Sequence, residues 1–370
     1  MKKIICALLA LLTLLQAAQA SEQPFTVEAK AAVLIDGASG RILFAQNANQ
    51  RLPMASTTKI MTAVIALENS LPGEIVTAGK NASGVEGTSI YLSVGEELSM
   101  EHMLYGLMLR SGNDAAVAIA EHVAGSVSAF ADMMNEKARE LGANANFVNP
   151  HGLPAEGHAA SALGMALIMR SALTLPDFRT ITGTSRKVIP WVGNEYSRVL
   201  QNKNRLLTTY EGATGGKTGY TKAAGRCLVF SAERDGLELI GAVLGCPTWF
   251  DTAETLLDYG FENFQARTVL AEGQPAGAVS LRGGAQQSVP VVAGGELAGA
   301  IAVGMQFTVH YEYTPDLTAP VRKGDQIGTA YMQSGGETLA SCPLLAAEDV
   351  EKWNFAAALR AVLRRWLMGF

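Results

Sequence analysis

Pro53-Met54-Ala55-Ser56-Thr57-Thr58-Lys59-Ile60-Met61-Thr62-Ala63-Val64-Ile65-Ala66-Leu67-Glu68 is the stretch on which the reading of this chain turns. Pro53 and Ser56 are helix-start signals, and Ile60, Met61, Val64, Ile65 and Leu67 give a buried surface to a helix predicted over Thr57 to Glu68. Ser56 then lies at the helix N-terminus, with Lys59 one turn on and on the same side. That spacing brings a lysine amine toward a serine oxygen, where the helix dipole favours an anion.

Two further strings follow in a fixed order. Ser99 to Leu109 reads as an amphipathic helix that ends in Arg110-Ser111-Gly112-Asn113-Asp114, before an apolar helix from Ala115 to Val123. A tight connection between buried helices can aim Ser111 and Asn113 into a cleft, although alone the string is an ordinary turn and N-cap. Lys217-Thr218-Gly219 starts the first strand of an antiparallel meander that continues through Cys227 to Ala232 and Leu237 to Leu244. Gly219 lets a substrate backbone approach that strand closely. Each string alone is weak; together they supply a serine, two lysines, a second serine and an amide, the groups for attacking a carbonyl and holding an acyl-enzyme.

Working outward, Ala31 to Ile35 and Ile42 to Ala45 form a predicted hairpin, and Asp251 to Tyr259 a helix closing the first domain. From Phe264 the texture changes to short strand-like segments, Val279 to Leu281, Val289 to Val292, Phe307 to Tyr313 and Gln326 to Met332. Turn signals between them describe a small all-β domain with no cluster of titratable groups. The ends differ again. Lys2-Lys3, an apolar run from Ile4 to Leu15 and Ala18-Gln19-Ala20 have the layout of a secretory signal peptide over residues 1–20. Trp353 to Phe370 reads as a basic amphipathic helix, with Arg360, Arg364 and Arg365 among Trp and Leu, suited to a membrane interface.

The 29 Lys and Arg against 34 Asp and Glu leave a net charge of −5, with no electrostatic invitation to nucleic acid. The five histidines form no His-Glu-x-x-His, so the reading calls for no metal and no cofactor. Beyond the leader, Cys227, Cys246 and Cys342 remain; Cys227 and Cys246 flank the meander and could pair, which sequence leaves open.

These motifs resemble a penicillin-binding protein of the low-molecular-mass D-alanyl-D-alanine carboxypeptidase family, serine peptidases of the S11 type. The likeness rests on Met54 to Ala63, on Leu109 to Ala116, and on Phe147-Val148-Asn149-Pro150-His151-Gly152-Leu153. It also includes Leu257-Asp258-Tyr259-Gly260-Phe261 and Ala319-Pro320-Val321-Arg322-Lys323-Gly324-Asp325. It implies an α/β (α+β) catalytic domain of the serine β-lactamase/transpeptidase type, an antiparallel sheet flanked by helices, over residues 21–263. A β-sandwich-like domain over 264–348 and a membrane-associating helix over 349–370 follow.

By the same resemblance Ser56 is the nucleophile, Lys59 the general base, and Ser111 the relay to the leaving D-alanine. Asn113 holds Lys59 and the substrate amide, Lys217, Thr218 and Gly219 bind the substrate end, and the backbone N–H groups of Ser56 and Tyr220 form the oxyanion hole. The substrate implied is a peptidoglycan stem peptide ending in D-Ala-D-Ala, with β-lactams as covalent inhibitors. The place implied is the outer face of the cytoplasmic membrane, where residues 353–370 anchor an exported wall-remodelling enzyme.

The sequence departs from the family at Trp249, where many members carry an arginine for the substrate carboxylate; Arg205 and Arg226 are candidate substitutes. Tyr220 stands where a histidine is common, and Gly164 where an acidic residue is expected. A class A-like β-lactamase shares two of the strings, but no Glu-x-x-Leu-Asn segment follows the second. A D,D-endopeptidase acting on cross-links uses the same residues, and a catalytically quiet penicillin-binding scaffold is the non-enzyme alternative.

Overall fold

A computed structural model of the chain describes residues 25–353; the expected signal peptide, 1–20, and nearly all of the terminal helix lie outside the described residues. The catalytic half is built on β1 (Ala31–Asp36), β2 (Ile42–Gln46), and helices α1 (Lys59–Asn69), α2 (Met100–Tyr105), α3 (Asn113–Ala124), α4 (Val127–Glu140), α5 (Ala162–Leu173) and α6 (Pro176–Gly183). The meander β3 (Ala213–Thr221), β4 (Gly225–Arg234) and β5 (Leu237–Leu244) and helix α7 (Trp249–Asn263) complete it. The five strands form one antiparallel sheet in the order β2-β1-β5-β4-β3, so β3 is an outer strand.

The alternation of side chains along each strand explains why these strands are apolar throughout. Ala31, Val33 and Ile35 of β1 and Ile240 and Ala242 of β5 face the helical layer of α1 to α6. Ala32 and Leu34, with Leu239 and Val243, face Phe250, Ala253, Leu256 and Leu257 of α7. Both faces are thus covered and β1 is buried along its whole length. At its end Asp36 caps the hairpin turn, accepting from Ser39 N–H at 3.1 Å, and also accepts from Ala300 N–H at 3.0 Å in the second half of the chain.

That second half is all β. β6 (Phe264–Leu270) pairs with β9 (Leu297–Ala302), while β7 (Pro275–Ser280), β8 (Ser288–Ala293), β10 (Thr308–Tyr313), β11 (Gln326–Ser334) and β12 (Glu337–Ala346) form a sheet ordered β7-β8-β12-β11-β10. Val289, Val291, Ile327, Ala330, Met332 and Leu344 fill its interior. The chain stays on this domain after β12: Val350, buried, bridges Val321, and Lys352 bridges Gly284. The terminal helix expected from residue 349 therefore does not begin there, and its remainder from 354 is outside the described residues. No helix among the described residues is long and apolar enough to cross a membrane.

Two expected helices are reshaped where the site lies. Ala55–Thr58 is a 3-10 turn and α1 begins only at Lys59. α2 is capped by Ser99, whose hydroxyl accepts from His102 N–H, and gives way to a wider π-type turn over Gly106–Arg110. Cys227 and Cys246 are free buried thiols and do not pair. Cys246 Sγ instead lies 3.3 Å from Thr252 Oγ1, and Cys227 faces Pro53 O at 3.8 Å.

Candidate active site

The three strings meet in one cleft of about 320 Å³ between the helical layer and the outer edge of β3. Ser56, Ser111, Asn113, Thr218, Gly219 and Tyr220 line it, with Gly87, Thr88, Gly152, Leu153, Lys203 and Trp249. Lys59 and Lys217 lie behind this lining, 0% and 1% exposed.

Each side chain is held by its own element. The 3-10 turn leaves Ser56 half-buried at the mouth of α1, while Lys59, in the first turn of the helix, points inward. Lys59 Nζ lies 3.1 Å from Ser56 Oγ, 2.7 Å from Asn113 Oδ1 and 2.6 Å from the His151 carbonyl oxygen. Asn113 is oriented in turn, its Nδ2 donating to Glu86 O at 2.5 Å. The π-type turn ends at Ser111 in the left-handed region, φ 68°, and the Thr88 hydroxyl donates to the Ser111 carbonyl. Next to it, buried Asp114 accepts from Ser89 Oγ at 2.5 Å and from the backbone of Ile90 and Leu92, fixing the loop that walls the cleft. On β3, Lys217 Nζ donates to Thr218 O at 3.1 Å, and the Tyr220 side chain is 63% exposed, leaving its backbone as its contribution to the cleft.

Burial of two amines sets the electrostatics. Burial holds the Lys59 amine well below the usual lysine range, and the charges of Lys217 and Lys203 press it further; Asp114 opposes them. Lys217 is lowered to about 7, by burial first and then by Lys203. The His151 imidazole is pushed down to about 3 by burial and by Lys59.

Lys203 carries no recognised motif and is missed by sequence reading. It sits between two asparagines that tie down its loop: Asn202 Nδ2 donates to Thr182 O and Thr184 O, and Asn204 Nδ2 to Gly215 O. A lysine framed by such turn-forming asparagines, just before the meander, is the only signal it offers. The arginines considered as substitutes at Trp249 are engaged elsewhere. Arg205 pairs with Asp251 at 2.6 Å over the Phe250 ring, and Arg226 donates to Pro247 O at 2.8 Å, its guanidinium 5.8 Å from the Trp249 ring. Neither lines the cleft, whereas Lys203 does. At Gly164 the expected acidic residue is unnecessary, because Ser161 Oγ caps α5 by accepting from Gly164 N–H at 3.0 Å.

Comparison with known proteins agrees with this architecture along the chain. A family model described as D-alanyl-D-alanine carboxypeptidase matches residues 17–248, and one described as the penicillin-binding protein 5 C-terminal domain matches 264–352. The D-alanyl-D-alanine carboxypeptidase DacF of Bacillus subtilis is 34% identical over 351 residues, spanning 92% of this chain and 90% of that protein. DacC of Escherichia coli is 34% identical over 364 residues, spanning 93% and 89%. The crystal structure of penicillin-binding protein 5 from Haemophilus influenzae, 32% identical, superposes with a TM-score of 0.77 over 89% of this chain and 99% of that one. The chain therefore belongs to the peptidase S11 family of D-alanyl-D-alanine carboxypeptidases, serine hydrolases that here carry the C-terminal domain of penicillin-binding protein 5.

Proposed function

We propose that the carboxypeptidase reaction of this chain runs through Ser56 on peptidoglycan stem peptides ending in D-Ala-D-Ala. The main support is the Lys59 amine, fully buried, 3.1 Å from Ser56 Oγ, with two carbonyl oxygens at 2.7 and 2.6 Å. A neutral amine that donates to those two oxygens keeps its lone pair for the Ser56 hydroxyl proton. Ser56 Oγ forms the new C–O bond as Lys59 takes its proton, and the C–N bond to the terminal D-alanine breaks as Ser111 passes that proton from Lys59 to the leaving amine, which leaves Lys59 neutral again. Water then attacks the ester with Lys59 again as base, the acyl C–O bond to Ser56 breaks, and Lys59 returns the proton to Ser56 Oγ as the shortened peptide leaves.

The backbone N–H groups of Ser56 and Tyr220 stabilise the oxyanion, worth roughly 3–4 kcal/mol per donor in serine enzymes of this kind. Lys217, Thr218 and Gly219 bind the substrate end. Lys203 supplies the second cation for the terminal carboxylate in place of the arginine that Trp249 displaces. β-Lactams enter the same path and stop at the acyl-enzyme.

The reading extends to the ends of the chain. Residues 1–20 export the protein, 21–263 form the catalytic domain and 264–348 the β domain that holds it off the bilayer. Residues 353–370 bind the outer surface of the cytoplasmic membrane; their support is the basic, Trp-flanked pattern. Intact-mass spectrometry with penicillin tests the core of the proposal. A covalent adduct is expected on the wild type and none on Ser56→Ala; no adduct on the wild type overturns it. Scoring D-alanine release from a pentapeptide against a cross-linked muropeptide separates carboxypeptidase from endopeptidase.

A further inference from the structure

We propose that His158 and Thr58 are positioning residues for the oxyanion hole: acting through Ala55, they aim the Ser56 backbone N–H into the cleft. Ala55, one residue before the nucleophile, is buried and holds φ +49°, a left-handed conformation that a residue with a Cβ adopts only under constraint. The constraint is a line of hydrogen bonds leading away from the cleft. Thr58 Oγ1 donates to Ala55 O at 2.8 Å, His158 Nε2 lies 2.9 Å from Thr58 Oγ1, and Val148 N–H donates to His158 Nδ1 at 3.0 Å.

The donors fix the direction of the whole line. Val148 N–H occupies the Nδ1 lone pair, so the imidazole proton sits on Nε2 and points to Thr58 Oγ1, whose own proton goes to Ala55 O. The line requires a neutral ring. Burial and the Lys59 charge hold His158 down to about 4, which keeps it neutral at working pH. Thr58 is 0% and His158 5% exposed, so neither touches substrate.

In a trans peptide the N–H points opposite to the carbonyl, so holding Ala55 O also sets the direction of the Ser56 N–H. Two glycines bracket that peptide. A Cβ on Gly152 would overlap Ala55 O, and a Cβ on Gly219 would come within 2.9 Å of Ser56 N. The carbonyl is therefore packed against the His151–Gly152 loop, and the Ser56 nitrogen lies against Gly219 of β3, next in sequence to Tyr220. A loosened line lets Ala55 relax out of its left-handed conformation and turns the donor away.

The inference rests on Ser56 as the nucleophile, so each preparation is first checked for the penicillin adduct that Ser56→Ala lacks. Stopped-flow acylation by a chromogenic β-lactam then separates binding from the acylation rate in His158→Ala, Thr58→Val and His158→Gln. A glutamine amide can accept from Val148 and donate to Thr58, as the imidazole does. We expect the acylation rate to fall about 10- to 100-fold in the alanine and valine variants, less than or equal to the loss of a whole oxyanion donor. Binding should be unchanged, glutamine should restore most of the rate, and the Thr58→Val, His158→Ala double variant should be no slower than the worse single. Thr58→Val keeps the side-chain volume and carries the test if His158→Ala does not fold. Wild-type acylation rates in either folded variant overturn the inference, as does a loss confined to binding or an equal loss in His158→Gln. A wild type without the adduct overturns instead the assignment of Ser56.

Discussion

Replacing Lys203 by methionine separates two effects that a cation at the cleft mouth exerts in opposite senses. As a ligand it attracts the substrate carboxylate. A charge-assisted hydrogen bond is worth more than a neutral one, but Lys203 is solvent-exposed, so screening reduces the loss to about 1 kcal/mol, about fivefold in kcat/KM. As a neighbour it depresses both buried lysines. Lys59 works as a base only when neutral, so activity rises as pH climbs through its pKa. Removing a positive neighbour raises that pKa and moves the ascending limb to higher pH. The assay is the pH profile of D-alanine release by wild type and Lys203→Met, repeated as β-lactam acylation with a substrate whose carboxylate is esterified. Both effects should appear with the free acid, and only the pH shift with the ester. An unchanged kcat/KM together with an unmoved limb refutes the placement of Lys203 in the electrostatics of the site.

Asn113→Ala removes the 2.7 Å acceptor that orients the Lys59 amine and should lower the acylation rate by about 100-fold, with little change in β-lactam binding, measured by the same stopped-flow method. Arg198→Met leaves Glu96 charged and buried, since the pair is 4% and 3% exposed and joined at 2.6 Å; thermal unfolding should show a loss of about 3 kcal/mol or more. Burial raises the Cys227 thiol to about 11, so iodoacetamide at neutral pH should leave it unlabelled in the native protein and label it after denaturation. Deleting residues 353–370 should release the protein from membranes in a fractionation experiment; unchanged association refutes the anchor.

Much of the fold was legible because its signals are local. The hairpin of β1 and β2, the meander of β3 to β5 and the helix after it follow from apolar runs between turn residues; β5 has the expected bounds and the structure extends the others. The start of α1 was less legible. Pro53 and Ser56 read as start signals, yet the turn is held by hydroxyl-to-carbonyl bonds at Thr57 and Thr58 that wind it as a 3-10 helix. In the β domain, β9 (Leu297–Ala302) and β12 (Glu337–Ala346) went unread. Alanine and glycine dilute the pattern of β9, whose partner β6 lies well before it in the chain, and β12 mixes Ala, Ser and Pro among its apolar residues. Cys227 and Cys246 are near in sequence but oriented by different neighbours, information that spacing does not carry.

The site divides along the same line. A motif reports the groups that touch substrate, since their identities are constrained by chemistry; it says little about the groups that set their charge and direction. Asp114, Lys203, Thr58 and His158 belong to that second set. Each acts at a distance fixed by tertiary packing: Asp114 through a loop some twenty residues earlier, Lys203 from the turn before β3, His158 from a hundred residues beyond Thr58. Their arrangement has one consequence for the chemistry. Burial and two neighbouring cations all weigh on Lys59 and favour its neutral form. Lys217 is lowered to about 7 by burial and Lys203, so in the proposed reaction an incoming carboxylate, which favours the charged form, draws it to the cation. In the proposed reaction two buried lysines of the same kind thus take opposite tasks, base and counter-ion, according to what surrounds them and without any difference in side chain.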